Sequence, residues 1–89
     1  MLTIHKFTLA PTENGELKIR GFVKSLSVEN QRESIVMYAL IDLENLCITT
    51  VPYGIYGTGH ELPDMARHWQ FLGTVKLYGG DLMFHVFGG

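Results

Sequence analysis

Cysteine is almost missing from this chain: Cys47 is the only one in 89 residues. That excludes an internal disulfide and any zinc site held by several thiolates. Basic clusters are missing too, with seven Lys+Arg scattered against nine Asp+Glu for a formal charge of −2. A protein that grips polymeric DNA or RNA needs a basic face, and none is encoded here. No window approaches the roughly 20 apolar residues that span a bilayer. The opening MLTIHKFTLAPTENG carries a lysine inside its apolar stretch, unlike a signal peptide. The expectation is a protein that works in a reducing cytoplasm.

Length sets a second bound. Residues 1–89 make one small domain. A chain this short buries only about 60–65% of the surface its unfolded form exposes. With no disulfide to supplement the core, a homo-oligomer is the expected remedy.

What is present has the period of strands. Residues 2–9 (LTIHKFTL) alternate weakly, and APTENG at 10–15 is a turn ending in Asn14-Gly15. Residues 17–28 (LKIRGFVKSLSV) read as one strand interrupted at Gly21 by a bulge or sharp bend. Residues 35–41 (IVMYALI) are apolar on both faces, which predicts a covered central strand or a subunit contact. A β-branched strand follows at 47–51, and 71–78 and 82–87 form a closing hairpin around Gly79-Gly80-Asp81. Only LPDMARHW at 62–69 has helical prospects, with Pro63 at the first helical position. The fold expected is all-β: a small, six-stranded antiparallel barrel or sandwich with one irregular excursion at about 54–70.

That excursion contains GIYGTGHELPD at 54–64, the richest stretch for function. Gly57-Thr58-Gly59 lacks the lysine and spacing of a P-loop and the third glycine of a dinucleotide-binding turn. Two readings stay open. The glycines serve a wide turn that needs positive φ, or their N–H groups form a nest for an anion, with Thr58 as hydroxyl donor. Tyr53, Tyr56 and Trp69 bracket the loop together with His60 and Arg67. They are either hydrophobic anchors or a stacking surface whose ligand phosphate is taken by Arg67 and the loop. The ligand-binding set on that second reading is Tyr53, Tyr56, Gly57, Thr58, Gly59, His60, Arg67 and Trp69.

Catalytic and metal signals are weaker. His60, Asp64 and His68 have i, i+4, i+8 spacing, but Gly59 and Pro63 argue against one continuous helix. Cys47 between Leu46 and Ile48 reads as a structural cysteine, and His85 between apolar neighbours as a satisfied core or interface histidine. No G-x-S-x-G elbow or paired carboxylates occur. No catalytic residue, metal or cofactor is therefore expected.

Nearly the whole chain resembles an uncharacterised family of small bacteriophage and prophage proteins. The blocks that carry the likeness are IHKFTL, ALID, IYGTGHELPD and FLGTVKLYGGDLMFHVF. The chain departs from that pattern at Met37-Tyr38, where relatives carry Leu-Trp, and at Phe71, where they carry Tyr. The resemblance implies a phage origin and the host cytoplasm as the place of action. It also implies a non-enzymatic inhibitor of host defence that sequesters a small phosphate-bearing signal of the cyclic nucleotide class. The alternatives are an interaction module that binds and inhibits a host protein and, behind it, a small hydrolase.

Overall fold

The computed structural model describes residues 1–88. Seven strands form two antiparallel sheets. They are β1 (Leu2–Thr8), β2 (Gly15–Arg20), β3 (Phe22–Gln31), β4 (Ser34–Asp42), β5 (Ile48–Gly57), β6 (Gln70–Leu77) and β7 (Leu82–Gly88). One sheet has the order β1-β4-β3 and the other β2-β5-β7-β6. The architecture is sandwich-like and does not close into a barrel. The molecule is flat, 41 × 31 × 16 Å.

The count differs from the expected six because Gly21 is neither a bulge nor a bend within one strand. It is the point where the chain leaves the four-stranded sheet for the three-stranded one. Its φ is +72°, and a Cβ there would stand 2.3 Å from the Asp42 carbonyl oxygen. Gly21 N–H donates to Cys47 O and Asp42 N–H donates to Gly21 O, so the crossing is bonded on both sides. Only glycine has both the dihedral freedom and the size for this position.

The core lies between the sheets. Ile35, Met37, Ala39 and Ile41 of β4 meet Ile19 of β2, Val51, Tyr53 and Ile55 of β5, Leu72, Val75 and Leu77 of β6 and Val86 of β7. Burying each large side chain stabilises the fold by about 1.5–3 kcal/mol. β4 is the central strand of its sheet, and even its outward residue Val36 is 2% exposed. Beside it, Lys6 Nζ of β1 donates to the Gln31 side chain of β3, and the Tyr38 hydroxyl donates to Glu29. That hydrogen bond to a carboxylate pushes the Tyr38 pKa up.

The two long sides of the sandwich differ. At the β3/β6 side, Asn30 Nδ2 donates to Lys76 O at 2.9 Å, and Tyr78 N–H donates to Glu33 Oε2 at 2.6 Å. These bonds tie one sheet to the other. At the β1/β2 side the edges stand apart with a cleft between them.

The irregular excursion begins later than expected. Gly54 to Gly57 belong to β5, so the non-strand stretch is 58–69. Within it, Asp64–His68 is a 3₁₀ turn rather than α-helix, and Pro63 precedes it with extended backbone instead of occupying its first position. Cys47 lies outside β5, exposed in the β4–β5 connection, and is not a core cysteine. No helix among the described residues is long and apolar enough to cross a membrane.

Candidate functional site

The glycine loop resolves into a strand end and a tight turn. His60 N–H donates to Gly57 O at 3.2 Å, and Gly59 takes φ +87° with nothing within 4 Å of its would-be Cβ. Positive φ at the third residue of a four-residue turn is the usual reason for glycine there. The His60 side chain folds back so that Nδ1 accepts the Gly57 N–H at 3.3 Å. Two of the N–H groups expected to line an anion nest, those of Gly57 and His60, are thus used inside the turn.

Next to this turn, His85 of β7 bridges two hydroxyls. Thr58 Oγ1 lies 2.7 Å from its Nε2, and Thr74 Oγ1 of β6 lies 2.9 Å from its Nδ1. In either neutral tautomer one ring nitrogen donates and the other accepts, so both are satisfied. The register explains the meeting, since His85 pairs with Tyr56 on one side and Thr74 on the other. His85 is thus satisfied as expected, but by polar neighbours on the outer face of the sheet and not in an apolar core.

Tyr53 and Tyr56 are removed from any solvent-facing stacking surface. They are 5% and 2% exposed: Tyr53 faces the core, and Tyr56, on the other face of β5, is covered by the loop at 10–14 and the edge of Phe87. The Tyr53 hydroxyl accepts the Ala10 N–H at 2.9 Å, and the Tyr56 hydroxyl donates to Glu13 O at 3.3 Å. Burial, then the Glu13 charge, pushes the Tyr56 pKa up. Gly57, Thr58 and His60 do line a shallow cleft of about 440 Å³, but its other residues are Asp81, Leu82, Met83 and Phe84. Arg67 and Trp69 are not among them. The only formally charged side chain in that lining is a carboxylate, which repels phosphate. His60, Asp64 and His68 make no metal cluster: no group of three or more His, Cys, Asp or Glu suited to a metal occurs among the described residues.

A second cleft, of about 290 Å³, opens between the β1 and β2 edges. His5, Phe7, Lys18, Ile19, Arg20, Ile41, Asp42, Leu43 and Asn45 line it. His5 and Phe7 of β1 and Ile19 of β2 face this mainly apolar cleft, and Lys18 and Arg20, which flank Ile19 on the outer face of β2, border it with two cations. Asp42, the one carboxylate, already has partners: its Oδ1 accepts the Glu44 N–H at 3.0 Å and lies 4.0 Å from the N-terminal amine. His5, Lys18 and Arg20 make no side-chain hydrogen bond or ion pair among the described residues. Sequence reasoning missed this site. The available signal was the period-2 spacing of Lys18 and Arg20, which sets both cations on one face of β2. Their proximity to His5 depends on how the two sheets stack.

Comparison with known proteins gives a family and no activity. Residues 1–89 match the family model described as a domain of unknown function, DUF7352, and the chain belongs to that family. No curated protein and no solved structure matches the chain.

Proposed function

We propose that this DUF7352 protein is a non-enzymatic binding protein for a small phosphate-bearing ligand, held in the β1/β2 cleft. The observation that supports the reading is the set of donors with no partner at the rim of that cleft: Lys18 and Arg20 on β2 and His5 beside Phe7 on β1. Lysine and arginine supply charge-assisted hydrogen bonds to phosphate oxygens. The phenyl ring suits a flat group such as a nucleobase. The imidazoles of His60, which lines the other cleft, and of His85 beside it already bond within the protein, which favours binding over catalysis. The resemblance to phage and prophage proteins supports a role in the host cytoplasm, sequestering a nucleotide-class signal of host defence.

The test is calorimetric titration of cyclic mono- and dinucleotides, with orthophosphate as control. Lys18→Ala and Arg20→Ala should each weaken binding about tenfold to a hundredfold, the worth of one charge-assisted hydrogen bond. His60→Ala should bind like wild type. If His60→Ala abolishes binding and the cation variants do not, the site belongs at the turn.

A second reading, a module that binds a host protein, draws on one observation. Met1, Leu2, Leu43, Leu46 and Ile48 are all large, apolar and exposed. They gather where Leu43 N–H donates to Met1 O, at the β4–β5 connection. A wild-type protein that binds none of the nucleotides would favour this reading.

A further inference from the structure

We infer that the β1 edge is the contact between two copies of this chain, paired antiparallel about a two-fold axis beside His5. The inference stands apart from the ligand reading and rests on backbone geometry.

In the β1–β4 ladder each partner pair sums to 44, as in Leu2↔Asp42 and Thr8↔Val36. Leu43 N–H donates to Met1 O, and Leu9 N–H donates to Ile35 O. Both are bonds between direct partners of that same sum, so the odd-numbered residues of β1 spend their N–H and C=O groups on β4. The even-numbered residues Leu2, Ile4, Lys6 and Thr8 turn theirs toward the open edge.

Natural sheets protect such an edge with charges, bulges or prolines. Three of the four edges here are protected. β3 and β6 each carry register shifts and are tied to one another across the sheets. On β2, Gly21 N–H bonds Cys47 O in a ladder whose pairs sum to 68, so Glu16, Lys18 and Arg20 occupy the outward positions. Every one of them is charged. β1 has an unbroken seven-residue register, no proline, and Leu2 and Ile4 at 60% and 57% exposure.

The occupant that fits is the same strand reversed. Antiparallel pairing requires outward-facing residues to meet outward-facing residues. The register centred on His5 does so along the whole strand, setting Leu2 against Thr8 and Ile4 against Lys6 of the second copy. It uses all four outward residues of each strand and opposes no like charges. Lys6, the one charge among them, faces an isoleucine. On the axis, His5 faces its own copy as a non-hydrogen-bonded pair, with Cα atoms about 4.5 Å apart. Because His5 lines the β1/β2 cleft, both clefts would then open on one seam.

Two kinds of variant test this. Ile4→Pro removes an outward N–H without touching the β4 ladder, as prolines on edge strands do. Light scattering should give a dimer for wild type at tens of micromolar and a monomer for Ile4→Pro, with the β-type circular dichroism retained. Cross-linking covers the case in which the proline variant misfolds. In a Cys47→Ser background, His5→Cys should oxidise to a covalent dimer, since that Cα spacing lies within disulfide range. Ile4→Cys, facing Lys6 of the other copy, should cross-link far less. A monomeric wild type, a folded Ile4→Pro that stays dimeric, or cross-linking equal at positions 4 and 5 would overturn the assignment.

Discussion

The two clefts are each lined by an exposed histidine, His60 in one and His5 in the other, yet they use their polar groups in opposite ways. At the Gly57–His60 turn, Thr58, Thr74, His60 and His85 bond one another or the backbone. At the β1/β2 edge, His5, Lys18 and Arg20 point no bond at the protein. A satisfied polar network rigidifies a turn. Unpaired cations at a cleft remain available to an outside anion. The difference teaches that glycine and histidine density along a chain marks where the backbone bends, whereas unspent donors mark where a ligand can gain energy.

The harshest way to break the comparison is at the root of the open edge. Gly21→Ala introduces a Cβ 2.3 Å from a backbone oxygen at φ +72°. It should destabilise the fold by about 3 kcal/mol in urea titration, since backbone cannot swing aside as a side chain can. Gly59→Ala, at the turn, meets no neighbour and carries only the dihedral cost, about 1–2 kcal/mol. Equal losses at the two glycines would mean the crossing is less constrained than its geometry indicates.

Removing the bridge is milder. His85→Ala loses both hydroxyl contacts but leaves Thr58 and Thr74 able to reach water, so about 1–1.5 kcal/mol should go from stability. Ligand affinity should not change. Lys18→Ala with Arg20→Ala should show the reverse pattern: under about 0.5 kcal/mol of stability lost, because neither has a partner to lose, but binding impaired. Melting temperature and calorimetry on the same samples separate the two.

The gentlest probe is alkaline pH. The raised pKa of Tyr56 means its neutral form is favoured in the folded state. Its contribution is fully present below the unfolded value of 10.0 and lost as pH rises through the folded value. Tyrosinate absorbance should therefore lag behind that of free tyrosine, and Tyr56→Phe should flatten the fall in stability above pH 10.0.

Particular residues show what was legible in advance. The alternation of Ile19 with Lys18 and Arg20, the doubly apolar β4 and the hairpin around Gly79 to Asp81 were readable because each depends on a period of two or on local turn chemistry. The site was less so. Tyr53 and Tyr56 sit beside the glycine loop in sequence, but β5 runs on through Gly57, and the core buries one ring while the loop at 10–14 covers the other. Arg67 and Trp69 neighbour the loop in the chain without lining its cleft.

By itself, the sequence determined an all-β domain with no disulfide, its turns and the inward side of its best strands, since those follow from side-chain period and dihedral freedom. Only the tertiary structure decided that Gly21 changes sheets, that His85 is spent between two threonines, and that His5 stands near Lys18 and Arg20. Those facts rest on which strands pair and how two sheets stack, and contacts between residues far apart in the chain leave no local pattern.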